Sequence, residues 1–445
     1  MDSRSRILSN VCNAGLLLVI AWLLFLLLSE LVLEDRAGRY AVIAVLACAG
    51  CVYALTLESH IKANLLLAVV SLGIGLCLAE LVLFLRARED VTYLSPREMV
   101  TSLRKEGVDA YPPVFPALHV KSDGLPRDGA RIFPLSGLAR KVTVYCKESE
   151  RYMVYLSDRH GFNNPDDAYA ARPEIIVVGD SFAHGACVQP GEDIGGQLRR
   201  LGWSVVNLGF SGNGPLLELA TVREYVIPLR PRTVLWLYYE GNDLRDLQSE
   251  KQSPLLLKYL NAGFTQDLMG RQGEVAPVLR DFLLHQMEGP VPLKERLLDN
   301  RAAVFLRFPI MRRTLATALS RFPTVAGTHG GQPDTENVRL LQDVLRISKE
   351  TIHSFGGELY FVYLPASSGI DQSARHSRDM VLASVRSVGI PLIDFHDTVR
   401  TLSDPAMVYP YHGAHFSASG YALLAKTIDA FLKSRELVPH SQPLR

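Results

Sequence analysis

The chain has 445 residues, long enough for more than one domain. It carries 47 Lys and Arg against 46 Asp and Glu, a formal net charge of +1, so it lacks the electrostatic footprint of a nucleic-acid-binding protein. Of the six cysteines, Cys12, Cys48, Cys51 and Cys77 lie in apolar N-terminal segments and only Cys146 and Cys187 lie beyond them, so no structural metal site is expected.

Three apolar segments open the chain, at about 8–33, 40–57 and 65–85. Each is long enough to cross the roughly 30 Å hydrocarbon layer as a helix, so three transmembrane helices are expected within residues 1–88. A cleaved signal peptide does not fit: the first segment is too long and lacks a small-residue cleavage site. Glu30 and Glu80, in "SELVL" and "AELVL", stand near span ends, where a carboxylate reaches the interface. The two arginines of "MDSRSR" suggest a cytoplasmic N-terminus, and three crossings would then export everything after Leu85. Arg36, Arg39, Arg86 and Arg88 count against that orientation. Because long domains are translocated largely regardless of charge, an exported domain is the expectation.

Residues 89–171 read as a mixed β/loop connecting segment. "YPPVFP" and "SDGLPRDG" are turn-rich, and "KVTVYCKESERYMVYLSD" has two β-type runs around a polar turn, the pattern of a hairpin. "SDRHGFNNPDD" is polar and turn-forming, either a surface connector or a loop lining a site. Cys146 and Cys187 are either a disulfide, if this part is exported, or two unpaired thiols.

From 172 to 438 the pattern becomes regular. Strands are predicted at 174–178, 204–208, 233–239, 358–364 and 390–394, with helical patterns between them. Apolar strands alternating with helices imply a five-stranded parallel sheet covered on both faces, a three-layer α/β/α domain. Residues 245–335 break the rhythm and read as a helical insertion, a lid or a partner surface.

The carboxyl ends of the strands collect chemistry. "IIVVGDSF" puts Ser181 just past the first strand, "VVNLGFSG" puts Gly212 past the second, and "YYEGND" puts Asn242 past the third. "YHGAHFSASGY" puts His415 before the last helix. Each alone has a plain structural explanation as a cap or a turn. Together they are the parts of acyl transfer: a hydroxyl nucleophile, an imidazole to take its proton, and a backbone N–H and side-chain amide to hold an oxyanion. The nucleophile elbow of ordinary α/β-hydrolases is excluded, because Ala183 stands where G-x-S-x-G has its second glycine.

On these four motifs, residues 172–438 resemble the SGNH, or GDSL-type, hydrolase superfamily. The resemblance implies a flavodoxin-like sheet, Ser181 as nucleophile, Gly212 and Asn242 as oxyanion donors and His415 as general base. It also implies an aspartate three residues before the histidine, where this chain has His412. A neutral or cationic imidazole cannot do the electrostatic work of a carboxylate. Asp394 or Asp397 could substitute, or a Ser–His dyad helped by a backbone carbonyl; a His412/His415 metal site lacks a third ligand. The expected activity is a membrane-anchored esterase working through an acyl-enzyme, without cofactor or metal, on an ester-bearing substrate such as an acylated cell-envelope glycan or a lipid. An O-acyltransferase using the same acyl-enzyme, and a non-catalytic glycan-binding or scaffold protein on this fold, stay open beside it.

Overall fold

The computed structural model describes residues 3–33, 39–86, 96–148, 151–288, 305–306, 308, 335–366, 375–409 and 415–439. The chain divides into two compact units, residues 1–95 with 289–325, and residues 96–288 with 326–445.

The first unit contains α1 (Ser3–Leu33), α2 (Arg39–Ala54) and α3 (Ser59–Arg86). Arg6–Ser29 and Ser59–Val82 are each 24 residues of strongly apolar helix, about 36 Å at 1.5 Å per residue and enough to cross a bilayer. Their apolar side chains point outward: Leu18 is 73% and Leu67 66% exposed. The expected second span does not hold. The apolar run continues in sequence to Leu57, but α2 has only 16 residues, about 24 Å. The N–H groups of Leu55, Thr56 and Leu57 turn back to the carbonyls of Val52, Tyr53 and Ala54, closing the helix early. Among the described residues two helices, rather than three, are therefore long and apolar enough to cross a membrane. Lys62 Nζ donates to Asn13 Oδ1 (3.0 Å), tying α3 to α1.

The second unit begins with the helix Pro96–Lys105, then β1 (Ala110–Tyr111), β2 (Leu125–Arg127), β3 (Ala130–Ile132), β4 (Val142–Val144) and β5 (Val154–Leu156). The predicted hairpin is present: β4 and β5 pair antiparallel, with Thr143 opposite Tyr155, and β1 adds to β4 in parallel. The pairing continues past β4, with Tyr145 N–H donating to Met153 O and Met153 N–H to Cys146 O.

The main sheet follows: β6 (Ile175–Gly179), β7 (Val205–Asn207), β8 (Thr233–Tyr239), β9 (Glu358–Leu364) and β10 (Leu392–Asp394). All its pairings are parallel, and the spatial order is β7-β6-β8-β9-β10. Counted within the sheet this is 2-1-3-4-5, the flavodoxin-like order. Alternation along each strand feeds two cores. Ile176, Val178, Val234, Trp236 and Phe361 pack with the helices Pro215–Thr221, Thr335–His353 and Arg375–Val388. Ile175, Val177, Leu235, Leu237 and Val362 face the helices Ile194–Arg200, Phe395–Arg400 and Ala418–Ser434. Both faces are buried, which is why these strands are apolar through their middles instead of alternating. Strand order reverses between β6 and β8, and the crevice beyond their carboxyl ends is where such sheets bind ligands.

Candidate active site

β6 ends at Gly179, whose φ of +153° favours glycine. A Cβ there would lie 2.8 Å from Leu237 O and 2.9 Å from the Ala183 methyl, so the chain turns where only glycine fits. Asp180 then caps the one-turn helix Ser181–His184, its Oδ1 accepting from Phe182 N–H (2.9 Å). Ser181 is thereby fixed at the switch point, partly exposed. His415 precedes the last helix, whose start is fixed by Ser417 Oγ accepting from Gly420 N–H (3.0 Å).

These two residues meet across the crevice. The Ser181 hydroxyl lies 3.0 Å from His415 Nε2 and 3.3 Å from Asp180 Oδ2. His415 Nδ1 lies 2.7 Å from Glu148 Oε1, and Glu148 Oε2 accepts from the His415 backbone N–H (3.1 Å). Both oxygens of one carboxylate therefore hold the histidine, ring and backbone. The Glu148 and His415 side chains are only 19% and 22% exposed. Glu148 comes from the far end of the β4–β5 hairpin. It makes the contact to His415 for which His412, Asp394 and Asp397 were the sequence candidates. His412 lies outside the described residues. Asp394 is instead ion-paired with Arg378 and caps the helix Phe395–Arg400, and Asp397 is 70% exposed beside the same arginine.

Asn242 stands at the N-cap position of the helix Asp243–Glu250, after β8, but its side chain makes no capping bond. Its Nδ2 donates to Asp246 Oδ2 (2.8 Å) and Asp180 Oδ2 (3.2 Å), which points the amide into the same crevice. Gly212 has φ +79°, and a Cβ there would press on the Ala117 methyl at 3.2 Å. The turn before it is braced by His184. Burial, then the neighbouring His415 ring, lower that imidazole to about 3, so it is neutral at pH 7. Its Nδ1 accepts from Ser211 N–H (3.3 Å), and its Nε2–H donates to Tyr155 Oη (2.9 Å). Tyr145 stacks on the same ring (centroids 4.8 Å apart) and hydrogen-bonds the Ser211 hydroxyl.

The floor beneath Asn242 is acidic. Asp180, Glu218, Asp243 and Glu250 are completely buried or nearly so. Burial pushes Asp180 above the usual carboxylate range while the Phe182 N–H and Asn242 amide draw it back. Burial, reinforced by the other acids, pushes Glu218 and Asp243 well up. Asp246 is raised to about 6 and Glu250 to about 8, again by burial first. Crowded carboxyls of this kind keep protons that exposed ones would lose.

Glu148, Cys187 and His415 offer ligand atoms within 4.8 Å of one another, as do Asp394, His396 and Asp397. In the first set the sulfur is held in a disulfide with Cys146 and is no thiolate. In the second, Arg378 already supplies the cation. Neither donor set invites a metal.

No known family profile matches the sequence, and no curated protein does. Among solved structures, the chain is similar to a protein described as lipolytic, of the G-D-S-L family, from Desulfitobacterium hafniense, at 12% identity and a TM-score of 0.33, over 57% of this chain and 96% of that one. It is similar to a lipase/acylhydrolase from Enterococcus faecalis (14% identity, TM-score 0.33, 60% and 100%). It is similar also to a mutant acetylxylan esterase from Geobacillus stearothermophilus (16% identity, TM-score 0.22, 61% and 98%). In structure, this chain is thus similar to GDSL-type lipolytic hydrolases and acylhydrolases.

Proposed function

We propose that this chain is a membrane-anchored ester hydrolase of the SGNH type, with Ser181, His415 and Glu148 as its catalytic triad. The observation that carries the reading is the unbroken line from the Ser181 hydroxyl through His415 to Glu148, at 3.0 and 2.7 Å. His415 Nε2 takes the hydroxyl proton as Ser181 Oγ attacks the ester carbonyl carbon. Its Nδ1–H stays on Glu148, which fixes the tautomer and balances the imidazolium. The carbonyl oxygen becomes an oxyanion facing Gly212 N–H and the Asn242 amide. The longer of the two Asn242 bonds, to Asp180, is the one the oxyanion replaces. Collapse expels the alcohol, which takes the proton from His415. Water, deprotonated by the same imidazole, then releases the acid from Ser181. Acceptance of the acyl group by another hydroxyl would make the same intermediate a transferase.

The reading as a non-catalytic binding domain drew its support from the missing aspartate at 412, and Glu148 removes that support. The two apolar helices supply the anchor. Two crossings would put the N-terminus and the domain on the same side, so the expected route of export, a cytoplasmic N-terminus followed by three crossings, gives way to one in which both are exported; the Cys146–Cys187 disulfide favours that side over the one the "MDSRSR" arginines suggest. An acylated envelope glycan or a lipid is the substrate class that fits this location. A fluorophosphonate probe should label the full chain at Ser181 and leave Ser181→Ala unlabelled with an unchanged circular dichroism spectrum. Equal labelling of both would refute the assignment.

A further inference from the structure

Glu148 lies outside any strand or helix, two residues beyond Cys146. Cys187 lies six residues after Ser181, in the loop that follows the nucleophile's helix, and is 6% exposed. The disulfide joins the two, with the Cα atoms 5.1 Å apart. Its Cys187 sulfur, the Glu148 carboxylate and the His415 ring all lie within 4.8 Å of one another. The bridge thus packs beside the acid and ties the hairpin tip to the loop that follows the nucleophile's helix.

We propose that the Cys146–Cys187 disulfide is the positioning element for the catalytic acid, so that its oxidation state sets the turnover rate; this rests on the triad reading above. A hydrogen-bonded carboxylate is useful to the imidazole only when held within a few tenths of an ångström of its place. The hairpin ladder reaches Cys146 and Met153. Beyond that rung the chain must hold a charged side chain against a histidine 267 positions away. The covalent bridge restricts that tip relative to the loop after the Ser181 helix without using either oxygen of the acid.

Reduction needs an external dithiol. Its thiolate attacks Sγ of Cys146, the partly exposed residue of the pair, and forms a mixed disulfide while Cys187 leaves as a thiolate and takes up a proton. The second thiol of the reagent then displaces Cys146, which is protonated in turn. Two electrons and two protons pass to the protein, and the reagent departs as a cyclic disulfide.

The test uses the full chain in detergent micelles with p-nitrophenyl acetate, before and after dithiothreitol. Peptide mass analysis follows alkylation of Cys146 and Cys187, and circular dichroism follows the fold. Reduction should lower kcat toward that of Glu148→Gln, by roughly 10²–10³-fold, with little change in KM. Glu148→Gln itself should not respond to reduction, because a misplaced acid and an absent one are the same defect. Bridging the two reduced thiols with a single methylene, using diiodomethane, should restore most of the rate. Unchanged kcat after confirmed reduction overturns the proposal, as does an equal further loss in Glu148→Gln. Loss of the circular dichroism signal together with the rate would assign the bridge to folding and overturn it as well. The triad reading fails separately, if the oxidised enzyme turns over as fast without the Ser181 hydroxyl as with it.

Discussion

Glu148→Gln is the substitution that asks most of the proposed triad. It keeps size and shape but removes the charge facing the imidazolium that forms at His415. For charge centres about 4 Å apart and an effective dielectric of about 20, suited to a pair near a protein surface, Coulomb's law gives about 4 kcal/mol. Each 1.4 kcal/mol is a factor of ten, so kcat should fall roughly 10³-fold. The introduced amide could also present its N–H to Nδ1 and stabilise the wrong tautomer, which pushes the loss upward. Because the imidazolium exists only during reaction, KM should barely move. The assay is steady-state hydrolysis of p-nitrophenyl acetate. Beside it, a proton spectrum should show a far-downfield Nδ1–H resonance in the parent that vanishes in the variant. A variant within threefold of the parent kcat, with the resonance intact, would show that Glu148 does not support His415.

Asn242→Ala removes an oxyanion donor and should lower kcat roughly 10²–10³-fold at nearly constant KM; a change confined to KM would point to ground-state binding instead. His412→Ala should leave kcat within a few-fold of the parent on the proposal that Glu148 is the acid; inactivity with an unchanged circular dichroism spectrum would give that position a direct role. Burial raises Asp246 to about 6, above the ordinary value of about 4, so the native state holds a proton there that the unfolded chain releases. The associated stability is present below about pH 4 and lost as pH rises through 6. Asp246→Asn should therefore be more stable than the parent at pH 8, by about 2–3 kcal/mol, and no more stable at pH 4, as read by denaturant melts at the two pH values.

The sheet could be read from the chain because its strands are buried on both faces and so are apolar without interruption. The Thr233–Tyr239 and Glu358–Leu364 strands coincide with the predicted ones residue for residue. Ser181, Gly212, Asn242 and His415 stood out as candidates because each follows an apolar run or precedes a helix, and the structure brings the Ser181 hydroxyl to His415. Glu148 did not stand out. It sits in "CKESER", where alternating charges look like a solvated turn, and nothing local distinguishes Glu148 from Glu150. The available signal was nonlocal: two cysteines beyond the apolar region, one near that glutamate and one near the nucleophile. The second apolar segment was misjudged for a different reason. Composition records how apolar a run is, but the backbone bonds at Leu55–Leu57 decide where its helix ends.

The position of Glu148 also bears on how the protein becomes active as it folds. The acid precedes the nucleophile in sequence, and the base follows both, 234 residues after Ser181. Contacts of such separation carry a high loop-closure cost and form late. The parallel sheet alone can assemble without the hairpin tip, and the hairpin without the final helix. Neither intermediate would have a working imidazole. Regain of hydrolysis on refolding should accordingly lag the recovery of secondary structure, and a fragment beginning at residue 172 would hold the nucleophile and the base yet lack the acid.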